Sequence, residues 1–153
     1  MENVSMGGGV MKADLAKRFI AAVIDAVVAM VLGFIPLVGS IVGAGYMLVR
    51  DGLELDFMDG RSIGKKVMKL RPVTNDGSKM TIEKSIRRNW MFGLGAFHGI
   101  LLFIPILGWI LMIIISIVAL LIGLYEIFKV LTDAEGRRMG DNMAGTKVVE
   151  TAS

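Results

Sequence analysis

The chain has 153 residues, a mean hydropathy of +0.66, 54% hydrophobic residues and only 20% charged ones. A soluble domain usually carries about 25% charged residues, and here the deficit is concentrated, because residues 26–49 and 89–125 contain no Asp, Glu, Lys or Arg. A spanning helix needs about 20 apolar residues, so an integral membrane protein is expected and soluble-enzyme classes fall away. Without Cys there is no disulfide framework, thiolate chemistry or Cys-based metal site. The net charge of +3 reports membrane topology more simply than nucleic-acid binding.

In chain order, residues 1–14 read as a flexible lead containing Met6-Gly7-Gly8-Gly9. Glu2 and Asp14 precede the apolar run and no small-residue cleavage site follows, so this is not a cleavable signal. Glu at position 2 also breaks the myristoylation pattern. Residues 19–49, with Asp25 tolerated inside, would make a helix roughly 46 Å long. The hydrocarbon core is about 30 Å thick. Pro36 and Gly39 break the run, since Pro removes a helix hydrogen bond and Gly supplies a chain reversal. A hairpin of helices over 15–35 and 38–56 is predicted, with Lys17, Arg18 and Arg50 snorkelling at its base.

A cytoplasmic segment over 57–85 follows. Asn75-Asp76-Gly77 is a turn signal between short extended pieces, and Thr81 suits a helix cap. The second apolar run is interrupted by Pro105 and Gly108, which predicts helices over 86–104 and 107–130, with Trp109 at an interface. A cytoplasmic C-terminal segment covers 131–150. None of the 17 Lys and Arg residues falls at either hairpin tip. The positive-inside rule therefore places both termini in the cytoplasm of a multi-pass protein.

The chain carries signs of an internal repeat. Phe34-Ile35-Pro36-Leu37-Val38-Gly39 returns as Phe103-Ile104-Pro105-Ile106-Leu107-Gly108, and Lys17-Arg18 has a counterpart in Arg87-Arg88. Gly60-Arg61-Ser62-Ile63-Gly64-Lys65 and Gly136-Arg137-Arg138-Met139-Gly140-Asp141 share Gly-Arg-x-x-Gly, and each runs into a strand-like piece. A parallel tandem repeat, with its axis along the membrane normal, is expected. The strands near 69–74 and 146–150 are expected to pair.

Asp25 is the outstanding polar residue. A charge near the centre of a spanning helix costs roughly 2.5–3.5 kcal/mol on insertion scales. Arg18 lies two turns earlier on the same face and Asp14 one turn before that, forming one polar stripe. Asp25 is either an ion or proton site or half of a structural ion pair that fixes helix packing. His98 is the only histidine, a residue type whose unperturbed pKa of about 6.5 suits proton exchange, and it is a candidate proton relay or a packed, hydrogen-bonded residue. Asn89, Ser116 and Glu126 are lesser candidates, with Glu126 expected to snorkel beside Lys129. Gly39-x-x-x-Gly43, Gly95-x-x-x-Gly99 and the Ala22, Ala26, Ala29 stripe permit close helix contact, most simply inside the bundle. The segment from Gly60 to Lys66 falls one residue short of a phosphate loop and lacks Ser or Thr after Lys65, so no nucleotide site is assigned. No zinc, calcium or serine-nucleophile motif is present.

Together these landmarks resemble the RDD family of small bacterial membrane proteins. Arg18-Phe19-Ile20-Ala21-Ala22-Val23-Ile24-Asp25 is similar to its first signature. Gly60-Arg61-Ser62-Ile63-Gly64-Lys65 and the following Leu70-Arg71-Pro72-Val73 are similar to its central segment, with Pro72 interrupting the usual strand. Gly140-Asp141-Asn142-Met143-Ala144-Gly145-Thr146-Lys147-Val148 is similar to its ending. The resemblance covers roughly residues 15–150. It implies an all-α membrane protein with four transmembrane helices in the inner (plasma) membrane, and small extended cytoplasmic elements. It marks Arg18, Asp25 and Asp141 as key residues, with Gly60, Gly64, Lys65, Gly145 and Thr146 forming the cytoplasmic motif. Asp141 is then either functional or a structural acceptor for Arg18.

The leading expectation for function is small-ion transport, a cation/proton antiport with Asp25 as titrating carboxylate. A second is a non-transporting scaffold or regulator that binds a partner protein through its basic cytoplasmic face. Anionic lipid bound at that same face is a third. The expected partners are membrane lipid, a monovalent cation and proton, and a second copy in a homo-oligomer. No nucleic acid, cofactor, metal or enzymatic reaction is expected.

Overall fold

A computed structural model describes residues 13–35 and 38–151 of the chain. Pro36 and the residues before Ala13 lie outside the described residues, as does Ser153. Helix α1 runs Leu15–Gly33, with the Asp14 carboxylate accepting from the Lys17 amide at its start. Helix α2 (Gly39–Val49) completes the first hairpin. Ser62 caps a short helix α3 (Ile63–Val67), which leads into strand β1 (Leu70–Thr74). Thr81 caps α4 (Ile82–Asn89), which passes through a 3-10 turn (Trp90–Gly93) into α5 (Leu94–Leu101). Then come α6 (Leu107–Thr132), α7 (Met139–Ala144) and β2 (Thr146–Glu150).

The molecule is mostly helical, and two expected helices are corrected. The second, expected over 38–56, ends at Val49, because Arg50 and Asp51 turn inward to form buried ion pairs. At 11 residues it is roughly 16 Å long, about half the hydrocarbon thickness. The third, expected over 86–104, starts at Ile82, breaks into the 3-10 turn and ends at Leu101. Its early start follows from the Thr81 cap, and its break separates a polar helix from an apolar one. Among the described residues, α6 alone is long and apolar enough to cross a membrane by length and composition.

The apolar helices pack in the order α1, α2, α5, α6. Small residues set the spacing. A Cβ on Gly43 would stand 2.8 Å from the Ala29 carbonyl oxygen of α1, and Gly99 lies against Ser40 of α2. Both Gly-x-x-x-Gly pairs are thus used within the chain. Their apolar side chains point outward, with Val27 on α1, Ile41 on α2 and Leu120 on α6 all exposed.

At one end, β1 and β2 form an antiparallel pair that packs on the start of α1 through Ala13, Ala21, Leu70 and Val148. Pro72 is accommodated because each strand of a two-stranded sheet is an edge. The register pairs Pro72 with Val148 and Leu70 with Glu150. Pro72 and Val148 have the same sequence separation as Gly60 and Gly136, and as Gly64 and Gly140. Asn75-Asp76-Gly77 is a turn, but it leads from β1 toward α4 rather than between paired neighbours.

Candidate functional site

The interior of the helix ends is polar. Asp25, on α1, is 1% exposed. It accepts from Ser62 Oγ at 2.6 Å, the Gly64 amide at 2.8 Å and the Tyr46 hydroxyl at 3.1 Å, and pairs with Arg50 at 2.9 Å. The expected Arg18–Asp25 pair is replaced by Arg50–Asp25. Seven residues of helix rise about 10.5 Å, which separates Arg18 from Asp25 although they share a face. Arg50 instead comes back along α2 and lies over the Phe92 ring, 5.2 Å from its centroid. Asp25 therefore belongs to the layer where the chain leaves the first hairpin, since α3 reaches it, and not to the centre of an apolar span.

Gly64 explains this closeness. A Cβ there would overlap the Ala21 carbonyl oxygen, so only glycine lets α3 sit on α1 with its amide aimed at Asp25. Gly140 meets α4 in the same way, against the Arg88 carbonyl oxygen. Gly60 and Gly145 serve differently, as left-handed residues that turn the chain before α3 and after α7. Thr146, fully buried, donates to the Asp141 carbonyl oxygen.

A second carboxylate, Asp51, follows Arg50 and is fully buried. It receives Lys65 Nζ at 2.6 Å and Asn89 Nδ2 at 3.2 Å, with Arg88 Nε at 3.3 Å. Burial alone would raise its pKa, but Lys65, Arg88 and Arg50 outweigh that and hold it far below the usual carboxylate value. Arg88, 1% exposed, also reaches Asp141 at 3.1 Å and so ties Asp51 to the C-terminal segment.

Asp141 is fully buried and gathers Arg18 at 3.4 Å, Arg88 at 3.1 Å and Arg138 at 3.7 Å, with the Arg138 amide at 3.1 Å. Burial pushes its pKa up, but Arg88 and Arg138 pull harder, and the result is a lowered value. Arg18 also donates to the Gly136 carbonyl oxygen. Glu126 does not snorkel. It is 5% exposed and accepts from the Met139 and Gly140 amides, which have no intrahelical partner at the start of α7. His98 stands apart from this layer, with Nε2 3.1 Å from Ser116 Oγ and Nδ1 3.4 Å from the Leu94 carbonyl oxygen.

Among the candidates, Arg18 and Asp141 come together, while Gly64 and Lys65 join the groups around Asp25 and Asp51. Arg50, expected to snorkel at the hairpin base, is instead buried against Asp25, and Asp51, Arg88 and Arg138 were not read as site residues from the sequence. One signal was present: Ser85, Arg88 and Asn89 repeat at helical spacing and form the buried face of α4, whereas Ile82 and Ile86 are exposed. That inverted pattern fits a helix whose interior neighbours are charged.

Outward apolar side chains, an apolar helix of membrane length and a charged interior at one end define an integral membrane protein. The chain belongs to the RDD family, whose family model matches residues 12–145. No curated protein and no solved structure matches it.

Proposed function

We propose that this is a non-transporting, non-enzymatic scaffold or regulator of the plasma membrane, in which the buried polar layer clamps the membrane helices to a cytoplasmic platform. In this reading the chain is a tandem duplication. Its hairpins, α1–α2 and α4/α5–α6, enter the bilayer from the cytoplasmic side, giving four membrane-embedded helices with both termini cytoplasmic. The matched spacing of the strand register and the two Gly-Arg-x-x-Gly segments supports the duplication.

The observation that carries the clamp is the complete set of partners around Asp25: one cation, two hydroxyls and one amide, at 1% exposure. A carboxylate that cycles between proton and cation needs access to water or ion, whereas a structural carboxylate needs this kind of saturation. The platform surface is not simply basic. Lys17, Arg71, Lys84, Arg87, Arg137 and Lys147 each pair with a carboxylate. This favours a shaped protein-binding surface over general attraction to anions.

The deciding experiment uses Asp25→Asn in liposomes, with proton-coupled flux of monovalent cations and the melting temperature measured on the same sample. The clamp predicts a lowered melting temperature, because Arg50 loses its counter-charge, and no change in any flux. Antiport at Asp25 predicts the reverse, a wild-type flux that the variant abolishes. For the topology, single cysteines at Val38 and Leu107 should be shielded from cytoplasmic labelling, while one at Ser78 should react. Cytoplasmic labelling at Val38 would end the hairpin reading.

A further inference from the structure

The surroundings of Asp141 differ from those of the other buried carboxylates. Three guanidinium groups converge on it from three parts of the chain: Arg18 from α1, Arg88 from α4 and Arg138 from the segment before α7. The fit is loose, at 3.1–3.7 Å. Charge-assisted nitrogen-to-carboxylate bonds are ordinarily about 2.7–2.9 Å. Asp141 Oδ1 lies near Arg88 Nη2 in an alignment that makes no hydrogen bond. Nη1 of Arg88 and Nε of Arg138 have no hydrogen-bond partner among the described residues. Arg88 is 1% exposed, so its unmatched donor is shut away from solvent.

The neighbouring groups leave this surplus in place. Asp51 shares Arg88 but is also held by Lys65. Asn89 Oδ1 takes Nη2 of Arg138, and Glu126 is engaged by the α7 amides. Three guanidiniums therefore surround one small monoanion with two oxygens. A tetrahedral anion of higher charge, with three or four oxygens, would match the donors better, since planar guanidinium forks suit phosphate oxygens.

We propose that the pocket formed by Arg18, Arg88 and Arg138 is a phosphate-binding site that the Asp141 side chain occupies in the unliganded protein. It adds a ligand to the layer that the proposed function treats as a clamp, but does not depend on the absence of transport. Asp141 competes at the high effective concentration of an intramolecular group, and binding requires it to swing aside. Arg18 and Arg138, with side chains 11% and 17% exposed, mark the way in beside Gly136. The phosphate is either a lipid headgroup at the membrane surface or free in the cytoplasm, and the chemistry of the pocket is the same for both.

The test uses the full chain in neutral-lipid nanodiscs, with melting temperature followed against inorganic phosphate, against dihexanoyl phosphatidic acid and against chloride at equal ionic strength. Asp141→Asn should lower the melting temperature without phosphate and bind phosphate at least about tenfold more tightly than wild type, a gain of about 1.4 kcal/mol. Arg138→Gln keeps Asp141 and Arg88 in place and should weaken binding about tenfold or more, which decides the matter if Asp141→Asn does not fold. A response to both probes, or to one alone, supports the site and identifies its source. A response no larger than that to chloride overturns it, as does Arg138→Gln binding like wild type or a folded Asp141→Asn with unimproved affinity.

Because this readout is binding and the Asp25→Asn readout is flux, either idea can fail while the other stands.

Discussion

Asp25 faces, and Asp141 belongs to, a short helix that approaches its neighbour on a glycine, and both acids are buried, yet their surroundings differ. Asp25 takes one guanidinium, two hydroxyls and a backbone amide, with its shortest contact at 2.6 Å. Asp141 takes three guanidiniums and the Arg138 amide, none closer than 3.1 Å. Mixed neutral donors can close around a carboxylate tightly because they do not repel one another. Three cations hold one another apart, so their site stays wide. The first arrangement fixes geometry, and the second stores unsatisfied positive charge. The amide of Gly140, which shares its Gly-Arg-x-x-Gly position with Gly64, is satisfied by Glu126 from α6 and not by Asp141.

The comparison breaks most readily at the two glycines. Gly64→Ala forces α3 off α1 and separates Asp25 from its amide and Ser62, and Gly140→Ala forces α7 off α4. Each should cost more than about 4 kcal/mol, at the extreme of single-residue effects, and be seen as loss of the folded species in detergent. A melting temperature near wild type for either would mean that the close approach is not required.

Arg88→Gln should rank next. It takes one cation from each of Asp51 and Asp141, which keep Lys65 and the Arg18–Arg138 pair respectively, so the cost should fall below the about 3–5 kcal/mol of a buried ion left with no partner. Because the change also removes one of the three guanidiniums, it should destabilise the protein and weaken phosphate binding together. Lys65→Met leaves Asp51 with Arg88 and should cost stability while sparing phosphate binding, which sharpens the distinction between the two regions.

Acid should act on both halves. The pKa values of Asp51 and Asp141 are depressed in the fold. Their contribution is fully present above the unfolded value of about 3.9 and is lost as pH falls below it toward the folded values. Denaturant midpoints should hold between pH 5 and 7 and fall below about pH 4. Asp51→Asn should flatten that fall. An unchanged slope would show that other carboxylates govern acid unfolding.

The smallest effects belong to the periphery. Glu150→Gln breaks the Lys17–Glu150 pair, whose side chains are 43% and 34% exposed, and should cost under about 1 kcal/mol. Gly123→Ala on α6 meets open space and should be neutral or stabilise by up to about 1 kcal/mol. A large loss at Gly123 would point to a helix partner outside the chain.

The sequence by itself determined the membrane class, the two interrupted apolar runs, the Thr81 cap and the pairing of the two C-terminal strand-like pieces of the repeats. The first three rest on local composition or short-range pattern and the strand pairing on the recurrence of one motif, all of which the chain states directly. The family resemblance likewise rested on contiguous motifs, now matched over residues 12–145. What only the tertiary structure decided was which charge faces which. Helical periodicity put Arg18 and Asp25 on one face but says nothing of reach, and the cation that meets Asp25 came from α2. The early end of α2 was hidden for the same reason: Arg50 and Asp51 leave the helix to satisfy groups distant in sequence. Glu126 read as a surface residue until α7 folded back to offer it two amides. Burial of a charge is stabilised by partners gathered from across the chain, so its place is settled only when those partners assemble.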